Sequence, residues 1–183
     1  MPNYVSLDEG ADALRAAGRI MVVGCSGGGK TTLSRKIAER FALRYLSMDR
    51  DVYWLAGWQI RDPADQRALI FELCAADRWI MDGNNTASFD LRVPRADLVL
   101  WVRLPRWRCF WGIARRVAGS YGRVRVGMAE GCPERLPDRV FLSYIWNFES
   151  RTAQRIIAGI DRHGPEVPVV VLRSHRAMER LLQ

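Results

Sequence analysis

The stretch Gly24-Cys25-Ser26-Gly27-Gly28-Gly29-Lys30-Thr31 decides the fold of this 183-residue chain. It matches the pattern GxxxxGK[ST], and it lies between an apolar run at 19–23 and an amphipathic stretch at 30–41. The glycines allow consecutive backbone N–H groups to turn inward around an anion, and the helix that follows adds the partial positive charge of its N-terminus. The pattern therefore predicts a phosphate-binding loop that joins a strand to a helix in an α/β domain.

The side chains of this loop predict ATP and Mg²⁺ as cofactors. Lys30 is suited to bridge the outer phosphates, and the Thr31 hydroxyl is a ligand of the kind that Mg²⁺ takes in such loops. Ser26 and Thr32 are expected to cap and pack rather than to take part in chemistry. The predicted nucleotide-binding positions of the loop are Gly24, Ser26, Gly27, Gly28, Gly29, Lys30, Thr31 and Thr32.

Short apolar runs alternate with longer amphipathic stretches along the rest of the chain. This alternation is typical of βα units around a parallel sheet. The predicted strands are 19–23, 44–48, 79–81, 98–102 and 167–172, and the predicted helices are 30–41, one that begins at Asp62-Pro63, one that follows Pro105, and a long one at 138–160. Length and composition, with 49% hydrophobic and 26% charged residues, predict one domain over 1–183.

Two carboxylates follow predicted strands and are candidates for the chemistry. Asp82 closes the run WIMD and is predicted, with Thr31, to serve the metal. Asp49 and Asp51 follow the second strand and are rivals for that role. Because the carboxyl ends of parallel strands meet at one edge of the sheet, Asp49, Asp82 and the phosphate loop should converge. We predict Asp49 to orient or deprotonate an acceptor hydroxyl, the alternative being a plain turn residue.

Positive charge is concentrated in one segment. Residues 103–139 hold nine arginines against three acidic residues, and supply +6 of the net charge of +8. Glycines and prolines between 119 and 135 predict a mobile, arginine-bearing loop, within a lid at about 115–139. Arginines of such a lid supply positive charge to a transferred phosphoryl group. The candidates are Arg115, Arg116, Arg123, Arg125, Arg139, Arg151 and Arg155, with Arg116 and Arg151 predicted to be catalytic.

Aromatic residues follow the second strand. Trp54 and Trp58 flank the expected acceptor crevice. Trp54 is a candidate for stacking on a base or sugar of the acceptor, the alternative being that both rings pack in the core.

The chain resembles the adenylate-kinase-like P-loop kinases, and more closely a bacterial group of P-loop ATPases called topology modulation protein. The resemblance covers about residues 19–182. Beyond the phosphate loop it rests on MDRDVYW…GW at 48–58, RWIMDGNN at 78–85, DLRVPRADLVLWVRLPRWRC at 90–109, MAEGCPER at 128–135, YIWNF at 144–148 and VVVLRS at 169–174.

This resemblance implies a three-layer P-loop NTPase fold with a parallel sheet of about five strands in the order 2-3-1-4-5. It also implies that Arg92 contacts an acceptor anion, that Arg116 lies against the nucleotide base, and that Arg173 lines the adenine pocket. Asn84-Asn85 stands where adenylate kinase has a Phe-Pro-Arg run. This departure speaks against AMP as the acceptor.

Two functions remain open at this point. The first is an ATP-dependent kinase acting on a nucleoside, a nucleotide or another small acceptor; the second is a nucleotide-regulated DNA- or RNA-binding ATPase that affects DNA topology. The chain has no apolar run long enough to cross a bilayer and no signal-peptide pattern at its N-terminus, so a cytoplasmic protein without a membrane partner is expected. Four separated cysteines without a CxxC pair, and only two histidines, predict neither a disulfide framework nor a zinc site.

Overall fold

The computed structural model describes residues 1–183, and its centre is a parallel sheet of six strands. The strand order is β3-β6-β2-β7-β8-β1. Its strands are β1 (Asn3–Val5), β2 (Arg19–Gly24), β3 (Arg44–Ser47), β6 (Trp79–Asp82), β7 (Leu98–Val102) and β8 (Pro168–Leu172), while β4 (Trp54–Leu55) and β5 (Gln59–Ile60) form a separate antiparallel hairpin. The α/β class is thus confirmed, and the five predicted strands stand in the predicted order.

The sixth strand and the first helix were not predicted from the sequence. β1 adds to the edge of the sheet beside β8, with Tyr4 opposite Val169. A capping box begins the helix that follows, because the Ser6 side chain accepts from the Glu9 N–H and the Glu9 carboxylate accepts from the Ser6 N–H. A strand of three residues has too short a pattern to recognise in a sequence.

Eight α-helices flank the sheet. They are α1 (Leu7–Ala16), α2 (Lys30–Arg40), α3 (Pro63–Cys74), α4 (Phe89–Arg92), α5 (Arg106–Ser120), α6 (Arg139–Trp146), α7 (Ala153–His163) and α8 (His175–Leu181). The predicted start of α3 is confirmed, since the Asp62 carboxylate accepts a hydrogen bond of 2.8 Å from the Ala64 N–H and Pro63 occupies the first helical position.

The prediction of one long helix at 138–160 was wrong. Residues 148–152 form a π-helical turn between α6 and α7, in which the Ala153 N–H donates to the Phe148 carbonyl. The wider turn lets both Phe148 and Ala153 face the core, where they are buried. Regular helical spacing from α6 onward would not place both side chains inward.

One hydrophobic cluster of 40 buried residues extends over the sheet and its helices. β2, β6 and β7 are almost wholly buried, as expected for parallel strands covered on both faces. No helix is long and apolar enough to span a membrane.

Candidate functional site

The phosphate loop connects β2 to α2 and packs tightly against α5. Gly27 has a positive φ of 79°, and a Cβ there would lie 2.2 Å from the Cys109 carbonyl oxygen of α5. Only glycine meets both conditions. The loop is therefore held in a shape that places the start of α2 at the end of β2, where an anion can bind.

Lys30 and Thr31 stand at the first turn of α2, as predicted. Lys30 Nζ donates to the Cys25 carbonyl at 3.1 Å, across the loop. The Thr31 hydroxyl donates to Asp82 Oδ2 at 2.6 Å. β2 and β6 are parallel, with Val22 opposite Asp82, so the acid lies at the same edge of the sheet as the loop that follows β2.

The hydroxyl of Thr31 and the carboxylate of Asp82 form a donor set that fits Mg²⁺. Both are hard oxygen ligands, and magnesium in such sites takes one or two protein ligands together with substrate phosphates and water. No group of three or more His, Cys, Asp or Glu side chains could hold a metal by itself. The pair formed by the Thr31 hydroxyl and the Asp82 carboxylate fits a Mg²⁺ ion whose other ligands are nucleotide phosphates and water.

Asp49 lies in a π-helical turn directly after β3, close to Asp82 and Lys30. We call the space between these three side chains the crevice. The Asp49 side chain is exposed to solvent. Partial desolvation by the protein around it, followed by the negative charge of Asp82, raises the pKa of its carboxyl. The positive charges of Lys30, Arg125 and Arg116 oppose the rise. The structure thus brings together Asp49, Asp82 and Lys30, which the sequence predicted to converge.

Asp51, the rival of Asp49, has a local structural role. Its Oδ2 accepts a hydrogen bond of 2.7 Å from the Ser47 N–H, and its carboxylate pairs with Arg50. These contacts stabilise the turn that presents Asp49 to the crevice.

Two arginines and a buried glutamate form the far wall of the crevice. Arg116 Nε of α5 donates to Glu134 Oε1 at 2.9 Å, and Arg116 Nη2 forms an ion pair with the same oxygen at 2.8 Å. Arg125 Nε donates to the other oxygen of Glu134. Burial, and then the neighbouring charge of Arg125, lowers the pKa of Arg116. Glu134 was not among the predicted site residues, since nothing in its local sequence marks it.

Residues 121–135, which we call the arginine loop, were expected to be mobile, but in the structure they are docked on the crevice. Paired hydrogen bonds close the ends of the loop, from the Gly122 N–H to the Glu134 carbonyl and from the Glu134 N–H to the Arg123 carbonyl. The loop tip is held by the Ser47 hydroxyl, which donates to the Gly127 carbonyl at 2.7 Å. The expectation of a mobile loop is therefore corrected, because long-range hydrogen bonds and the packing of Met128, Ala129 and Cys132 dock it.

The hairpin β4–β5 supports the arginine loop from the other side. Trp54 and Trp58 pack edge to face, with ring centroids 5.1 Å apart, against Met128, Ala129 and Cys132 of the loop. The backbone N–H of Trp58 donates to Cys132 Sγ at 3.2 Å. Both rings therefore pack against other side chains, which was the alternative interpretation. Stacking of Trp54 on an acceptor stays a prediction.

Arg92 is not placed to contact an acceptor anion, contrary to what the resemblance implied. It is fully buried, and it donates to Ser88 Oγ and to the carbonyls of Gly83, Asn84 and Asn85. Burial lowers its pKa to about 10. The resemblance matched the residue type, but the burial of α4 directs this guanidinium to the backbone that follows β6.

Two polar residues of the site were missed in the sequence. Asn84 accepts from the Gly24 N–H at 2.8 Å and donates to the Gly24 carbonyl at 3.0 Å, so it holds the first residue of the phosphate loop. Asn84 also donates to the Tyr144 hydroxyl at 2.8 Å, and that phenol lies near Ser26 and Asp49. The departure of Asn84 from the adenylate kinase pattern was the signal that could have indicated this role.

The remaining predicted residues lie around the crevice or outside it. Thr32 is exposed on the first turn of α2, and Arg151 is exposed in the π-helical turn before α7. Arg173 follows β8, is exposed, and lies near the Tyr4 phenol of the edge strand. The roles of these three residues in nucleotide binding or catalysis stay predictions.

Comparison with known proteins places this fold. No protein-family model matches the sequence, and no curated protein matches it at a significant level. Among solved structures, the chain is similar to shikimate kinase from Acinetobacter baumannii in complex with shikimate, with a TM-score of 0.57, 12% identity, and coverage of 94% of this chain and 93% of that chain.

Two further structures are similar. For shikimate kinase from Bacteroides thetaiotaomicron the TM-score is 0.55 at 15% identity, over 92% of this chain and 95% of that chain. For deoxyadenosine kinase from M. mycoides with bound dATP it is 0.49 at 11% identity, over 90% and 96%. At such identities the shikimate kinases show that the fold is shared. The resemblance to the topology modulation group is not supported by these comparisons and stays a prediction.

Proposed function

We propose that the chain is an ATP-dependent P-loop kinase that transfers the γ-phosphate to a small nucleoside, nucleotide or other small acceptor. The observation that carries this proposal is the convergence of Lys30, the Thr31–Asp82 pair and Asp49 at one edge of the sheet, facing Arg116 and Arg125. Lys30 and the Thr31–Asp82 pair are suited to bind the phosphates and the metal of a nucleotide. A carboxylate such as Asp49 is suited to accept the proton of an acceptor hydroxyl. The fold shared with shikimate kinases supports the proposal.

The residues have separate tasks in this reaction. Lys30 and the N-terminus of α2 bind the outer phosphates, and Asp49 orients the acceptor hydroxyl and accepts its proton. The raised pKa of Asp49 makes its carboxylate a better proton acceptor than an ordinary aspartate. Arg116 and Arg125 stabilise the negative charge on the transferred group. Mg²⁺, held by Thr31 and Asp82, neutralises charge on the outer phosphates when it is bound.

The arginines themselves bear on the alternative of a nucleic-acid-binding ATPase. Six of the nine arginines between 103 and 139 have a carboxylate or an aromatic ring of the same chain as partner: Arg103, Arg106, Arg108, Arg116, Arg125 and Arg135. Arg116 and Arg125, whose charges act on Asp49, have side chains only 24% and 21% exposed, so they are open to a small ligand in the crevice but less so to the phosphate backbone of a nucleic acid. This favours the kinase over the alternative.

A transfer assay tests the proposal. The purified chain, Mg²⁺ and labelled ATP are incubated with a panel of small hydroxyl- or phosphate-bearing acceptors, and labelled product is separated from free phosphate. We expect transfer to at least one acceptor class, and a loss of about 100-fold in Asp82→Asn, because the amide keeps the shape but loses the charge toward the metal.

Asp97→Asn is the control, because Asp97 also accepts charged and backbone hydrogen bonds but pairs with Arg19 at the start of β2. We expect it to leave transfer unchanged once stability is matched. Free phosphate as the only product would contradict a kinase. Salt-sensitive nucleic acid binding that depends on the arginines would favour the alternative.

A further inference from the structure

Glu134 lies between two arginines at the wall of the crevice, and each of its oxygens serves one of them. Oε1 accepts from Arg116 and Oε2 accepts from Arg125, while the carboxylate is only 4% exposed. Both arginines lie close enough to Asp49 for their charges to act on its carboxyl. The three residues therefore form one charged group that faces the predicted path of the phosphate.

The charges of this group do not cancel. One carboxylate faces two guanidiniums, so the group keeps one net positive charge. Two guanidiniums of like charge repel each other unless an anion lies between them. Without Glu134 the long side chains of Arg116 and Arg125 would be free to separate into solvent, which would cost entropy to reverse on binding.

The carboxylate is not the only contact that closes the arginine loop. The backbone of Glu134 already does so through Gly122 and Arg123, and the loop tip is held separately by Ser47. The side chain of Glu134 therefore has a task of its own, which is to fix the directions of the two guanidiniums.

We propose that Glu134 is a positioning residue that holds Arg116 and Arg125 as a clamp for the terminal phosphate of a nucleoside triphosphate. The proposal rests on the proposed function for the orientation of the nucleotide. A clamp fixed in advance binds the terminal phosphate without paying for the ordering of two arginine side chains. Nucleoside diphosphates, which lack that phosphate, gain nothing from it.

Binding measurements test the clamp without relying on turnover. The affinities of Mg·ADP and of a Mg·ATP analogue that resists hydrolysis are compared in the native chain and in Glu134→Gln. We expect Glu134→Gln to lose about tenfold of the preference for the triphosphate, while ADP affinity stays within about twofold. Asp90→Asn breaks a similar two-bond contact, with Arg67, away from the crevice, and should leave the preference unchanged.

A second background separates positioning from a direct role. In the double variant Arg116→Met/Arg125→Met the preference is already lost, so adding Glu134→Gln should change it little. A further large loss in this background would overturn the proposal. Equal losses of ADP and analogue affinity together with a lower Tm would also overturn it, since they would mean that Glu134 only stabilises the loop.

A gain of triphosphate affinity in Glu134→Gln would likewise contradict the proposal, because it would show a carboxylate that blocks the site. The outcome is separable from that of the kinase assay. If no acceptor is phosphorylated and yet the preference falls as expected, the proposed function fails and the clamp remains.

Discussion

The phosphate loop and the arginine loop are both rich in glycine and face the same crevice, but they are held in different ways. Within the phosphate loop, Cys25 accepts from the Gly28 N–H and from Lys30 Nζ, both at most five residues away. In the arginine loop, Gly127 is bonded to Ser47 and Cys132 to Trp58, which are 80 and 74 residues away in the chain. Apart from the bonds of Gly24 to Asn84, the phosphate loop takes its hydrogen bonds from within a few residues, whereas the tip of the arginine loop is bonded to distant parts of the fold.

This difference explains why the shape of one loop could be predicted from the sequence and that of the other could not. When the hydrogen bonds of a loop are local, a short sequence pattern predicts its shape, because the glycines that this shape requires have a recognisable spacing. A loop whose bonds are long-range looks mobile in the sequence because its anchors lie elsewhere. Variants in each loop and in the crevice between them can break or sharpen the comparison.

The largest effect is expected from Lys30→Ala. ATP-dependent turnover should fall about 1000-fold, because the charge on the outer phosphates is lost, while the fold is kept since Lys30 contributes no core volume. Initial rates and Tm should be measured together. Unchanged turnover would show that the phosphate loop does not bind the nucleotide, and a matching loss of Tm would show a structural role instead.

Asp49→Asn should combine a loss of activity with a gain in stability. Turnover should fall about 100-fold, because the amide cannot accept the acceptor proton. The pKa of Asp49 is raised in the folded chain, so ionised Asp49 destabilises the fold at neutral pH, but its side chain is exposed and solvent screens the effect; removing the charge should therefore raise Tm at pH 7 by no more than about 1 °C.

The pH dependence provides the check on this second part. As pH falls through the raised pKa, native Asp49 becomes protonated and neutral, and the Tm advantage of Asp49→Asn should disappear. A Tm difference of the same size at pH 7 and at about pH 3, below the usual aspartate pKa, would contradict the assignment of the effect to this charge.

A moderate effect is expected at the tip of the arginine loop. Gly127 and Gly122 both have a positive φ, but a Cβ on Gly127 would lie 3.2 Å from the Tyr45 hydroxyl, whereas a Cβ on Gly122 would meet nothing within 4 Å. Gly127→Ala should therefore undock the tip and speed trypsin cleavage at Arg123 and Arg125 about fivefold more than Gly122→Ala does. Equal cleavage rates in the two variants would mean that backbone strain alone, and not docking at Gly127, controls access to the loop.

The smallest effect is expected at Arg151. The sequence predicts a catalytic arginine there, which would make Arg151→Ala as harmful as the loss of Asp49. The side chain is exposed, so we expect turnover within about threefold of the native value. Steady-state rates of Arg151→Ala at saturating ATP distinguish a catalytic Arg151 from one without a catalytic role.

Much of the frame could be derived from the sequence. The five longer strands of the sheet, the start of α3 at Asp62 and the arrangement of Lys30, Thr31 and Asp82 follow from local patterns, since strand periodicity, helix caps and glycine spacing act over a few residues. The convergence of Asp49 and Asp82 followed from the rule that parallel strands present their carboxyl ends at one edge.

Other features were decided only by the tertiary structure. The burial of Arg92, the contact of Asn84 with Gly24, the role of Glu134 between Arg116 and Arg125, and the docking of residues 121–135 all join parts of the chain that are distant in sequence. No local pattern can specify such contacts, because the energy of a buried charge or hydrogen bond depends on which partners the folded chain brings to it. The sequence by itself determined a phosphate loop on a parallel sheet, and the packing of that sheet decided which arginines face the crevice.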